Sequence, residues 1–134
     1  MSPPVALDTN LLVRLLTNDD PQQAGRVAEL IDASPACFVP ITVVLELEWV
    51  LRGAYRLPRE AIISAMKGLL KIRQLHLEQE EQVVQALDWY AQGLDFADAL
   101  HLLRSEGCSA LLSFDRAFGR QSGELGCNPL VREP

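Results

Sequence analysis

Four carboxylates in this 134-residue chain stand where chemistry is easiest to arrange: Asp8, Glu46, Asp98 and Asp115. Asp8 directly follows the apolar run Val5-Ala6-Leu7, and Asp115 directly follows Ala110-Leu111-Leu112-Ser113-Phe114. Asp98 lies in the first turn of a helical stretch that opens at Asp95. Helix N-termini supply amide donors and the positive end of the dipole, so these three acids are expected to stay ionised. Glu46 is set among Val43, Val44, Leu45, Leu47, Val50 and Leu51, with no basic side chain one helical turn away. A carboxylate buried in such a helix needs a reason to be there. Glu48 has one of its own, because Arg52 follows four residues on in the favourable order, and it is read as half of a structural ion pair.

Clustered carboxylates repel. At about 6 Å and an effective dielectric near 20, each pair costs roughly 3 kcal/mol. A divalent cation relieves that cost. An all-oxygen donor set selects Mg²⁺ or Mn²⁺, with Ca²⁺ a poorer match for phosphate chemistry. Neither a His-x-x-x-His pair nor paired cysteines are present for zinc. A hard cation in an open acidic site suits hydrolysis of phosphodiesters by a metal-activated water, leaving a 5′-phosphate and a 3′-hydroxyl.

The elements that must carry these acids alternate. Val5–Leu7 reads as a short strand, followed by a helix over 9–17 with Leu11, Leu12, Leu15 and Leu16 at helical spacing. Asn18-Asp19-Asp20 breaks the chain, and Pro21 suits the first position of a helix running to about Ala33. Cys37–Ile41 is a second strand, and 42–54 a helix apolar nearly all round, hence buried. Pro58 opens an amphipathic helix. Leu75-His76-Leu77 is a weak strand, 80–91 a helix ended by Gly93, and 95–104 a helix ended by Gly107. Ala110–Phe114 is a clear strand, a short helix starts at Asp115, and Leu130-Val131 reads as a last edge strand. Strands alternating with helices imply an α/β fold with a mostly parallel central sheet. Ligands in such folds gather beyond the carboxyl ends of the strands, where Asp8 and Asp115 fall.

Bulk properties bound the function. The length sets a prior of one domain, and 49% hydrophobic residues are enough for one core. No apolar run is long enough for a membrane span, and Met1-Ser2-Pro3-Pro4 has no signal-peptide shape, so a cytoplasmic protein with no membrane association is expected. Cys37, Cys108 and Cys127 form no metal or disulfide pattern and are expected to be packing thiols. The net charge of -6 argues against a passive nucleic-acid binder. Half of the 12 basic residues nevertheless fall between Arg52 and Arg73, opposed only by Glu60. That stretch is either a solvated helix face or a phosphate-facing patch.

Four short motifs, in order, carry a resemblance. Val5-Ala6-Leu7-Asp8-Thr9-Asn10 resembles the opening of PIN domains, especially those of VapC toxins. Val43-Val44-Leu45-Glu46-Leu47-Glu48-Trp49-Val50-Leu51-Arg52 is similar to their second motif, with Glu46 at the acid position. Asp95-Phe96-Ala97-Asp98-Ala99-Leu100-His101 is similar to the third, with Asp98 at its principal acid and Asp95 a possible assistant. Leu112-Ser113-Phe114-Asp115-Arg116-Ala117-Phe118 resembles the fourth, which often has Thr where Ser113 stands. The resemblance spans the chain and implies a single PIN domain over 1–134, a three-layer α/β/α sandwich. It implies a divalent-metal endoribonuclease and a homodimer. It also implies a cognate antitoxin protein whose basic tail lies across the acids.

Plainer readings stand beside these. Asp95 can simply cap its helix at Asp98. Thr9 and Asn10 either position a metal water or a phosphate, or form a turn. Thr42 either hydrogen-bonds Glu46 or caps its helix. Ser113 is either a donor to the site or a structural hydroxyl. His101 is a helix-face residue before it is a general base. Trp49 and Trp89 are expected in the core or an interface rather than as base-stacking platforms. Arg52 and Arg56, one turn apart, either guide RNA or meet a partner. A phosphatase using Asp8 as nucleophile wants a second Asp where Asn10 stands, and a receiver domain wants a paired acid and a late Lys. The remaining alternatives are a PIN nuclease for RNA maturation and a non-catalytic interaction module on the same scaffold.

Overall fold

The computed structural model describes residues 3–134; Met1 and Ser2, half of the N-terminal stretch read above, lie outside the described residues. The chain divides into two compact units, 1–80 and 81–134.

The first unit begins with β1 (Val5–Ala6), α1 (Thr9–Thr17), α2 (Pro21–Ala33) and β2 (Cys37–Val39). It continues with α3 (Ile41–Gly53), α4 (Arg59–Leu70) and β3 (Leu75–Leu77). The strands form an all-parallel sheet in the order β1-β2-β3, with Val5 beside Cys37 and Cys37 beside Leu75. The Leu7 amide donates to Phe38 O at 2.9 Å, which extends the ladder up to Asp8. α1 packs on α2 and α3, and α3 on α4. Pro21 occupies the first turn of α2, where its missing N–H costs nothing. Asn18 closes α1 in the left-handed region at φ 54°, a conformation Asn tolerates better than most residues.

The second unit contains α5 (Glu80–Ala91) from its second residue, α6 (Phe96–Leu103), β4 (Ala110–Leu112), α7 (Arg116–Glu124) and β5 (Leu130–Arg132). β4 and β5 pair in parallel, Ala110 beside Leu130. Tyr90 and Phe96 meet edge to face at 5.4 Å between ring centres, fastening α5 to the start of α6.

Several expectations are corrected. α3 is not buried all round. Val44, Leu47, Glu48 and Leu51 are its buried residues. They follow the i, i+3, i+4, i+7 stripe of an amphipathic helix. Glu46 is therefore exposed, and Trp49 is 64% exposed, which removes the core half of the core-or-interface expectation. The strand expected over 110–114 ends at Leu112, and Phe114 is 78% exposed, so its apolar character does not mark a sheet position. Of the three cysteines only Cys37 is buried; Cys108 is exposed and Cys127 half-buried, with burial pushing the Cys127 thiol up. β2 stops before Pro40, which cannot donate to a ladder.

Candidate functional site

The acids singled out by sequence fall two to each unit. In the first, Asp8 is the N-cap of α1 and its Oδ1 accepts from the Thr9 amide at 2.7 Å. The carboxylate is exposed and its second oxygen is open to a ligand. Thr9 is buried, and its hydroxyl donates to Glu46 Oε1. One threonine therefore ties the start of α1, beside Asp8, to an exposed carboxylate on α3. Thr42 does not cap its helix, because Pro40 stands at the cap of α3; it is exposed, as Glu46 is.

Asp8, Thr9, Asn10 and Glu46 line a cavity of about 500 Å³, together with Val13, Arg14, Val50, Ala54 and Tyr55. Arg14 is the cationic side chain of that lining. Its Nη1 donates to Asp19 at 3.2 Å and to the Tyr55 hydroxyl at 3.3 Å, and its Nε donates to Gln23 at 2.9 Å. The Tyr55 hydroxyl in turn donates to Asp19 Oδ2 at 2.6 Å. Asp19 is held below the usual carboxylate range by the Tyr55 hydrogen bond first, with Thr17 and Arg14 adding to it. Arg14 escaped the sequence reading. Its one signal is a lone charge four residues after Asn10 in an otherwise apolar turn of helix.

In the second unit, Asp95 is the N-cap of α6, accepting from the Asp98 amide at 3.1 Å. The capping role is thus realised. Asp115 is the N-cap of α7, accepting from the Phe118 amide at 3.0 Å. The Ser113 hydroxyl accepts from the Asp115 amide at 3.0 Å, which is the structural alternative for that residue. Asp98 is half-buried, and its carboxyl is pushed up, first by burial and then by the charges of Asp95 and Asp115, while His101 opposes the shift. This corrects the expectation that a place in the first helical turn would keep all three acids readily ionised. At Asp98 desolvation and like charges outweigh the helix dipole.

Glu48 is 2% exposed and accepts from Arg52 Nε at 2.8 Å, as the four-residue spacing foretold. That pair engages Arg52 within its own helix, and the Arg52 side chain is exposed. Arg56 is exposed, in the left-handed region at φ 53°. Among the described residues, no group of three or more His, Cys, Asp or Glu side chains is placed to hold a metal ion. Donor chemistry nonetheless fits one: the ligands on offer are hard carboxylate oxygens, and Asp98 carries a like-charge burden that a cation would lift.

The PIN domain family model matches residues 5–124, a span that holds all four acids, and the chain belongs to the PIN domain family. Its parallel strands and flanking helices are the α/β architecture of that fold. Among solved structures, VapC20 of Mycobacterium tuberculosis, a toxin that cleaves the sarcin-ricin loop, is similar at 20% identity and a TM-score of 0.42. The likeness covers 92% of this chain and 95% of that one. No curated protein matches. No helix among the described residues is long and apolar enough to cross a membrane.

Proposed function

We propose that this PIN-domain protein is a divalent-metal-dependent endoribonuclease, the toxin of a toxin–antitoxin pair, with Asp8, Glu46, Asp98 and Asp115 as its metal-binding acids. The observation that carries this reading is the family match across 5–124, a span that contains the four acids. Mg²⁺ or Mn²⁺ would supply a nucleophile at neutral pH and positive charge at the scissile phosphate, giving a 5′-phosphate and a 3′-hydroxyl. The chain's own contribution is placement. Thr9 holds Glu46 by a hydrogen bond that leaves the carboxylate's other oxygen for a ligand. The caps at Asp8 and Asp115 fix each carboxylate through one oxygen and present the other.

Further parts of the reading follow from the family and the motifs. The two units together constitute one PIN domain, because the family match runs through the division at Glu80. The protein acts as a cytoplasmic homodimer and is inhibited by a small antitoxin with a basic segment, which the net charge of -6 would attract.

The test is incubation of total cellular RNA with the purified protein and Mn²⁺, beside Asp8→Asn and EDTA controls. Discrete fragments with 5′-phosphates, absent from both controls, are expected. Intact RNA from folded, antitoxin-free protein that binds Mn²⁺ would instead favour an interaction module.

A further inference from the structure

An acidic cavity and a polyanionic substrate repel, so a nuclease of this kind needs a cation on the cavity wall as well as one at its centre. Arg14 is placed to be that side chain. It projects from α1 one turn beyond Asn10, and the two residues share the cavity lining with Asp8 and Glu46. We propose that Arg14 binds a backbone phosphate of the RNA next to the cleaved bond, and that Asp19 holds its guanidinium in reserve until the phosphate arrives. The inference rests on the ribonuclease reading.

Three observations point this way. Arg14 contacts Asp19 at 3.2 and 3.3 Å. Both are long for charge-assisted bonds, which close to about 2.7–2.9 Å when geometry is good. Asp19 makes its short bond with Tyr55 instead. The pair is also solvent-accessible on both sides, so it contributes little to stability and can be exchanged. Second, the hydrogen bonds of Arg14 use Nε and Nη1 only among the described residues. Among the described residues Nη2 has no acceptor, so its N–H donors can meet an incoming oxyanion, and exchanging the Asp19 contact at Nη1 would complete the two-nitrogen fork that phosphate favours. Third, Asn10 and Arg14 also line an adjoining cavity of about 520 Å³ with Leu11, Gln23, Arg26, Val27 and Leu30. That cavity contains a second arginine and no acid. A strand crossing Arg14 away from Asp8 and Glu46 therefore enters surroundings that favour its next phosphate.

The alternative is a surface ion pair that merely closes the turn between α1 and α2. The two readings differ in sign. A structural pair loses the same thing when either partner is changed. A phosphate-binding Arg14 is weakened by Arg14→Gln, but released by Asp19→Asn.

The experiment is fluorescence-anisotropy titration of the full-length protein with a labelled single-stranded RNA of mixed sequence. It is run in EDTA so that nothing is cleaved, from low to moderate salt, with thermal melts of each variant. Arg14→Gln is expected to weaken binding and make the plot of log K against log salt shallower by about 0.7, one phosphate contact on a single strand. Arg14→Lys should restore the slope but not the full affinity. Asp19→Asn should tighten binding by about fivefold, the factor for removing one charge ~4 Å from the phosphate-binding group in water. Binding that weakens alike in Arg14→Gln and Asp19→Asn, or a slope unchanged in Arg14→Gln, overturns the inference. Wild-type protein that does not bind RNA in EDTA at low salt overturns it as well. Cleavage of total RNA with Mn²⁺, measured on the same samples, tells these failures from failure of the ribonuclease reading. If wild type cuts while Arg14→Gln keeps its affinity and slope, only the role of Arg14 falls. If wild type neither binds nor cuts, both fall.

Discussion

Acids in the two units are treated differently. In the first unit Asp19 receives hydrogen bonds from Tyr55 and Thr17 and faces Arg14. Buried Glu48 has Arg52, and Glu46 has the Thr9 hydroxyl. In the second unit Asp98 is half-buried beside Asp95 and Asp115, with only His101 opposing them. Donors answer each acid of the first group, while burial and repulsion resist ionisation of Asp98. A carboxylate answered by donors costs the fold little. One crowded by its own kind is held at a cost, and a cation is the simplest group that would repay it.

The sharpest way to break this contrast is Asp98→Asn with Mn²⁺ present. Cleavage of total RNA is expected to fall more than about 100-fold, beyond the loss usual for changing an outer-sphere partner of a metal. The Mn²⁺-dependent rise in melting temperature should shrink with it. An equal rise in wild type and variant would remove Asp98 from the metal-binding acids.

Next in size is a pair of substitutions two residues apart on α3. Glu48→Ala should destabilise the protein by at least about 1 kcal/mol, since it deletes a buried, charge-assisted hydrogen bond. Glu46→Gln should leave the melting temperature within a degree or so, as exposed sites usually do, and abolish cleavage. Denaturant melts and the RNA assay on both variants check this. Matching losses of stability would show that α3 does not separate a structural acid from a functional one.

Smaller still are two opposite pH dependences, read from melts in EDTA. The Asp98 carboxyl is raised in the folded state, so its ionisation opposes folding. That penalty is complete above the folded pKa and vanishes below the unfolded value, about 3.9. Asp98→Asn should therefore melt higher than wild type at neutral pH, an advantage that disappears on acidification. Asp19 is depressed in the folded state, so it stabilises at neutral pH and loses that effect as pH falls through its folded pKa. Asp19→Asn should melt slightly below wild type at neutral pH and converge with it in acid. Two variants shifting in the same direction would erase the contrast between the units.

Much of this was legible in the residues. The helix over 9–17, Pro21 at the head of α2, the weak strand at Leu75–Leu77 and the caps at Asp95 and Asp115 follow from local signals, and the structure has each of them. What failed was reading composition in place of period. The helix carrying Glu46 is rich in apolar residues, but its buried stripe runs through Val44, Leu47, Glu48 and Leu51. Glu46 faces outward, so the argument from its burial was wrong, and its proposed role rests on the resemblance of its motif. Phe114 failed likewise, since one more apolar residue did not lengthen β4. The Arg14 network could not be read at all. Its partners Gln23 and Tyr55 come from α2 and from the turn after α3, and only tertiary packing brings them together.

Each unit is continuous in sequence, and each sheet is built from strands of its own unit. A ribosome can therefore expose the residues of β1, β2 and β3 before Asp98 and Asp115 have emerged. At common elongation rates, residues 81–134 take roughly 3–10 s more to emerge. If all four acids are needed, the nascent protein is chemically silent through that interval. The order of the acids along the chain would then act as a timer, keeping a nuclease inactive while it is still attached to the RNA machine that makes it.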